Sequence, residues 1–72
     1  MINKKIKMYR LAKNINQEDL ANLLNITLTT YNKKETGKAE FTLSQAKKIA
    51  DFFNTTIDDL FFNPEVNFLG TF

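Results

Sequence analysis

No cysteine and no histidine occurs among the 72 residues, and that absence constrains the fold more than any residue present. A chain this short needs a disulfide, a metal or unusually good helix packing to stay folded. The first is excluded, and so are zinc sites built on thiolate or imidazole. Helix packing remains, with an expected net stability of about 3–5 kcal/mol. Hydrophobic residues make up 43% and charged residues 25%, with two Gly and one Pro, the balance of a folded chain and not of a linker. One small domain fits in this length. A catalytic cleft hardly does, and no carboxylates cluster around one, so an enzyme is not expected. No catalytic residue, metal ligand, cofactor or small-molecule site is legible. No apolar run approaches the roughly 18 residues of a membrane span, and no signal peptide is visible. The expected setting is cytoplasmic, without a membrane partner.

Charge is unevenly placed. Residues 1–48 hold all ten Lys and Arg and four of the eight acids, a net +6. Residues 49–72 hold the other four acids and no base, a net −4. Solvated helix faces can produce such a split. So can a polyanion facing the first part of the chain.

Apolar spacing reads as five short helices. Ile2, Ile6 and Tyr9 share one face of a first helix ending near Lys13. Asn16 is a good N-cap for a second, with Glu18 and Asp19 in its first turn and Leu20, Ala21 and Leu24 as its apolar stripe. Asn25 stands where a left-handed residue is wanted, and Ile26 plugs the turn. Thr27 caps a third helix over 28–35, closed by Thr36-Gly37. Thr42 with Gln45 is a capping-box pattern ahead of the face Leu43, Ala46, Ile49, Ala50 and Phe53, a helix that Asn54 ends. Thr56 with Asp59 repeats it for a fifth helix carrying Ile57, Leu60 and Phe61, and Pro64 stops that helix. β-branched residues form no alternating run, so the fold class is all-α.

The segment from Gln17 to Gly37 has its own grammar: a helix with Ala at its fifth position, the turn Asn25-Ile26-Thr27, and a second helix ending Glu35-Thr36-Gly37. Small Ala21 permits close approach, and Ile26 and Tyr31 fill the wedge. These are the requirements of a helix-turn-helix. In this register the chain resembles the phage Cro and repressor (XRE-type) helix-turn-helix family from Ile6 to Phe61. Arg10, Gln17, Leu20, Ala21, Leu24, Ile26, Thr27, Glu35, Gly37, Ile49, Ala50, Leu60 and Phe61 carry the resemblance. It implies a lambda-repressor-like five-helix domain over 1–63 that binds double-stranded DNA and regulates transcription, as a repressor of phage or bacterial origin. Three positions differ from the family habit. Asn25 replaces Gly, Phe41 replaces Pro, and Lys34 replaces an apolar residue, which fits the packing behind the third helix only if Lys34 lays its stem on the core and sends its amine outward.

With Tyr31 pointing inward, a projection at 100° per residue turns Thr29, Thr30, Asn32 and Lys33 outward and brings Glu35 back toward Tyr31. The N-terminal part of such a helix meets base edges in the major groove. The resemblance puts Leu28, Thr29 and Lys33 at base-reading positions. Asn32 suits adenine, Lys33 guanine, and Leu28 the thymine methyl. The start of the second helix, with Asn16 and Gln17, offers backbone N–H groups to a phosphate. The resemblance adds Gln17, Thr27, Thr36 and Lys38 near the phosphates, and it implies a structural ion pair between Arg10 and Glu35.

A protein-interaction module of the same fold, of antitoxin or anti-repressor type, is the alternative function. The tail over 64–72 is apolar and holds Val66, Phe68, Leu69 and Phe72. It is expected to pack on its own domain or on a partner in a homodimer, with a slight preference for the dimer.

Overall fold

Capping side chains and left-handed asparagines set the helix boundaries. The computed structural model describes residues 4–62. Ile2, Pro64, the boundary at 63/64 and the tail residues Val66, Phe68, Leu69 and Phe72 lie outside the described residues. The described chain forms α1 (Lys4–Ala12), α2 (Gln17–Leu24), α3 (Leu28–Glu35), α4 (Leu43–Phe52) and α5 (Ile57–Phe61).

Two full capping boxes are present. Asn16 Oδ1 accepts from the Asp19 N–H at 2.8 Å, and Asp19 Oδ2 accepts from the Asn16 N–H at 3.0 Å. Thr42 and Gln45 do the same for α4 at 3.1 and 3.0 Å. At α5 only half the box forms. Thr56 Oγ1 accepts from the Asp59 N–H at 3.0 Å, but the Asp59 carboxylate turns to α1 and does not close the box.

The C-termini of α1, α2, α3 and α4 share one geometry. Asn14, Asn25 and Asn54 are left-handed, with φ of 60°, 59° and 57°, a region that Asn tolerates better than other residues bearing a Cβ. In each case the next residue donates its N–H to the carbonyl five residues back: Ile15 to Arg10 at 2.8 Å, Ile26 to Ala21 at 3.0 Å and Thr55 to Ala50 at 2.9 Å. Gly37, with φ 90°, ends α3 the same way, through Lys38 N–H to Lys33 O at 2.8 Å. These are Schellman closures, which satisfy carbonyls the helix would otherwise leave open. Ile15 and Ile26 also pack on the core after the turn, the apolar contact that accompanies the motif.

The core gathers Ile6, Leu20, Ala21, Leu24, Tyr31, Ile49, Ala50, Phe53 and Leu60. Ala21 is buried where α2 meets α3. Phe41, in place of the family proline, lies between the rings of Tyr31 and Phe61, 5.9 Å from each centroid. Aromatic packing, worth about 0.5–1.5 kcal/mol per pair beyond area burial, thus sets the approach to α4. The half-buried Lys34 sends its Nζ to the Glu40 carbonyl at 2.7 Å, which fastens the loop after α3. No described helix is long and apolar enough to cross a membrane.

Candidate nucleic-acid interface

α3 divides its faces as its sequence suggests. Tyr31 is fully buried, and Glu35 is only 4% exposed. Thr29, Asn32 and Lys33 point outward, and Leu28 at the N-terminal edge is 46% exposed. Thr30, expected outside, is half-buried, and its hydroxyl oxygen accepts from the Thr27 hydroxyl at 2.9 Å. Thr27 is occupied at the helix start, since it also accepts from the Thr30 N–H at 3.1 Å.

Behind this face sits an ion pair. Arg10 Nε donates to Glu35 Oε2 at 2.9 Å and Nη2 donates to Oε1 at 2.8 Å, the bidentate arrangement that a guanidinium fork favours. Arg10 Nη1 donates to the Ile15 carbonyl at 3.1 Å, so the same side chain also holds the α1–α2 turn. Tyr31 Oη donates to Glu35 Oε2 at 2.6 Å, and Gln17 Nε2 donates to Oε1 at 3.1 Å. Burial pushes the Glu35 carboxyl up. The hydrogen bonds from Arg10, Tyr31 and Gln17, with the Arg10 charge, outweigh that and hold it below its ordinary value of 4.5. The Glu35 hydrogen bond raises the Arg10 pKa against the opposing effect of burial. Burial first, and then the neighbouring carboxylate, raises the Tyr31 phenol well above 10. Among the described residues, no buried side-chain nitrogen or oxygen lacks a hydrogen-bond partner.

The residues expected near phosphates fall into two groups. Asn16, Gln17, Thr27 and Thr36 are engaged within the protein. The capping box takes the N–H groups of Asn16 and Asp19. The N–H groups of Gln17 and Glu18 are left as the terminal donors of α2. The Thr36 hydroxyl donates to the Asn32 carbonyl at 2.7 Å. Gln17 Oε1 accepts from Asn32 Nδ2 at 3.1 Å, in addition to its bond to Glu35. Lys33 and Lys38, by contrast, are exposed and make no side-chain hydrogen bond or ion pair with described residues. The Schellman closure ties the Lys38 backbone to Lys33, which keeps the two cations at the same end of α3.

Sequence reasoning missed the hydrogen bonds of Gln17, Tyr31 and Lys34, and the donors around Asp59. The Tyr31–Glu35 bond was within reach, because an i, i+4 pair shares a helix face. The bonds of Gln17 required the packing of α2 on α3.

α2 and α3 meet at a tight turn, the second with a buried anchor and a polar outer face. The sequence profile of the helix-turn-helix family matches residues 6–60. The chain belongs to the XRE-type helix-turn-helix family. It is 44% identical over 57 residues to an uncharacterized HTH-type transcriptional regulator of Methanocaldococcus jannaschii, covering 79% of this chain and 86% of that protein. It is 38% identical over 64 residues to the HTH-type transcriptional activator BcrR of Enterococcus faecalis, covering 89% of this chain but only 31% of BcrR. The match runs from the core of α1 to the core of α5, so the family frame includes Arg10 and Glu35 as well as the turn.

Proposed function

We propose that this helix-turn-helix protein is a sequence-specific double-stranded DNA-binding regulator of transcription, with α3 in the major groove. The observation that carries it is the face of Leu28, Thr29, Asn32 and Lys33, exposed on a helix whose opposite side is buried at Tyr31 and Glu35. These side chains offer the hydrogen bonds, charge and methyl contacts that base edges accept. Lys38 and the first N–H groups of α2 hold phosphates, with Asn16, Gln17, Thr27 and Thr36 beside them. Such contacts set register without reading sequence. The chain acts as a repressor, because occupying a promoter requires no further contact surface. Two copies on half-sites about 34 Å apart give a homodimer on DNA.

Selection of bound duplexes from random DNA at moderate salt tests this reading. The expected result is an enriched palindrome, whose preference relaxes in Lys33→Ala at single positions by about 1–3 kcal/mol. Lys38→Ala weakens all sequences alike and makes the salt slope shallower by about one unit. Recovery of a pool no different from the input contradicts the proposal.

A further inference from the structure

The loop between α3 and α4 is fastened at both ends. At its start the Lys38 and Ala39 N–H groups donate to the Lys33 carbonyl at 2.8 and 3.1 Å. At its end the Phe41 ring lies between Tyr31 and Phe61, and the Thr42 N–H donates to Gln45 Oε1 at 3.0 Å. Glu40 stands between these anchors, and a side chain holds it. Lys34 Nζ donates to the Glu40 carbonyl at 2.7 Å, a short charge-assisted bond. The Lys34 ammonium makes no other hydrogen bond or ion pair with described residues. A trans peptide unit points its C=O and the following N–H in opposite directions. Holding the Glu40 oxygen therefore turns the Phe41 N–H away from Lys34. That N–H has no hydrogen-bond partner among the described residues, and a main-chain donor left so takes water or a ligand.

We propose that Lys34 is a positioning residue for phosphate binding: it holds the Glu40 carbonyl so that the Phe41 N–H is presented, as an uncharged donor, to the phosphate beside Lys38, while its own ammonium stays off the DNA. The inference rests on the reading that Lys38 holds a phosphate. It divides three neighbouring groups by task. Lys38 supplies the charge, the Phe41 N–H supplies direction, and Lys34 fixes the peptide unit that carries that N–H. A direct phosphate contact by Lys34 makes a different statement, because each cation that neutralises a phosphate releases counterions and an N–H does not. Without the Lys34 donor the Glu40–Phe41 peptide is able to rotate, and the phosphate loses a donor while keeping its cation.

The test uses Lys34→Met, which keeps the side-chain length and removes the donor, with Lys38→Ala as the reference for a lost phosphate cation. Binding of each full chain to its selected duplex and to a random duplex is followed across a range of salt. Lys34→Met is expected to weaken both duplexes alike, by about 10-fold, since phosphates are the same at every base pair. Its slope against the logarithm of salt concentration stays that of the parent, whereas Lys38→Ala makes the slope shallower by about one unit. A slope shallower by about one unit in Lys34→Met as well makes Lys34 a phosphate contact in its own right and overturns the proposal. Affinity equal to the parent's overturns it too. A parent that binds no duplex removes the DNA reading, and the positioning role with it. A second measurement needs no DNA. The ¹³C signal of the Glu40 carbonyl, correlated with the Phe41 amide, is expected to move upfield in Lys34→Met as its hydrogen bond is lost. An unmoved signal in the folded variant overturns the proposal whether or not the chain binds DNA.

Discussion

Two polar seams join α1 to the rest of the molecule, each around one carboxylate that gathers several donors. At one end Glu35 receives Arg10 twice, Tyr31 and Gln17. At the other, Asp59 on α5 receives the Tyr9 hydroxyl at 2.7 Å, the Thr55 hydroxyl at 3.0 Å and Lys5 Nζ at 3.3 Å. The first carboxylate is buried, while the Asp59 side chain is 30% exposed. Arginine's rigid fork serves the dry seam and lysine's point charge the wet one, in line with their hydration and geometry. Similar sequence chemistry therefore carries different weight. Breaking a buried pair leaves a charge that water cannot reach, whereas a half-exposed carboxylate is rehydrated when a donor is lost. The seams also differ in position. The dry seam backs the exposed face of α3, and the wet seam fastens α5 to the start of the chain.

Substitution of single partners should separate the seams most widely. Arg10→Met or Glu35→Gln is expected to cost about 3–5 kcal/mol, close to the whole stability of a chain this size, and thermal melting reads it directly. The double variant Arg10→Met with Glu35→Met should recover much of that loss, because no charge is then stranded. A melting temperature equal to the parent's in both single variants would mean that the dry seam is not closed in solution.

Titration gives the next largest effect. Glu35 has a lowered pKa in the folded chain, so its contribution is present above the unfolded value near 4.5 and is lost as pH falls through the folded value. Tyr31 has a raised pKa. Its contribution is full below the unfolded value near 10 and declines as pH rises from there toward the folded one. Melting curves across pH should fall off at both ends. In Glu35→Gln the acid limb should be shallower than in the parent.

The wet seam should respond more weakly. Tyr9→Phe removes one donor from Asp59 and is expected to cost about 1 kcal/mol, with selection from random DNA unchanged. A loss as large as that of Arg10→Met would erase the distinction between the seams.

Turn chemistry supplies the smallest effect. Asn25→Gly keeps the left-handed turn and should stay within about 1 kcal/mol of the parent. Asn25→Ala puts an ordinary Cβ there, at a cost of roughly 1–2 kcal/mol. Chemical denaturation of the pair distinguishes them.

Much of this was legible in the residues because it is local. Capping residues, αL asparagines and apolar spacing depend on neighbours a few positions away, and they placed α2, α3 and α4 where the structure has them. Arg10 and Glu35 were legible only through resemblance, since 25 residues separate them. Gln17 and Asp59 escaped. The bond from Gln17 to the buried Glu35 depends on the packing of α2 on α3, which no local pattern in the residues shows. Asp59 has the spacing of a capping box, but Tyr9, Thr55 and Lys5 compete for its carboxylate and win. Phe41 and Lys34, departures from the family habit, show the same dependence on tertiary neighbours.

In the proposed complex the face of α3 backed by the dry seam is the one that meets DNA. Amide chemical shifts of the ¹⁵N-labelled chain, followed during titration with its selected duplex, test it most directly. The largest changes are expected at Leu28, Thr29, Asn32 and Lys33, with smaller ones at Asn16, Gln17, Thr36 and Lys38. Changes centred on Asp51, Phe52 and α5, with α3 unmoved, would contradict it.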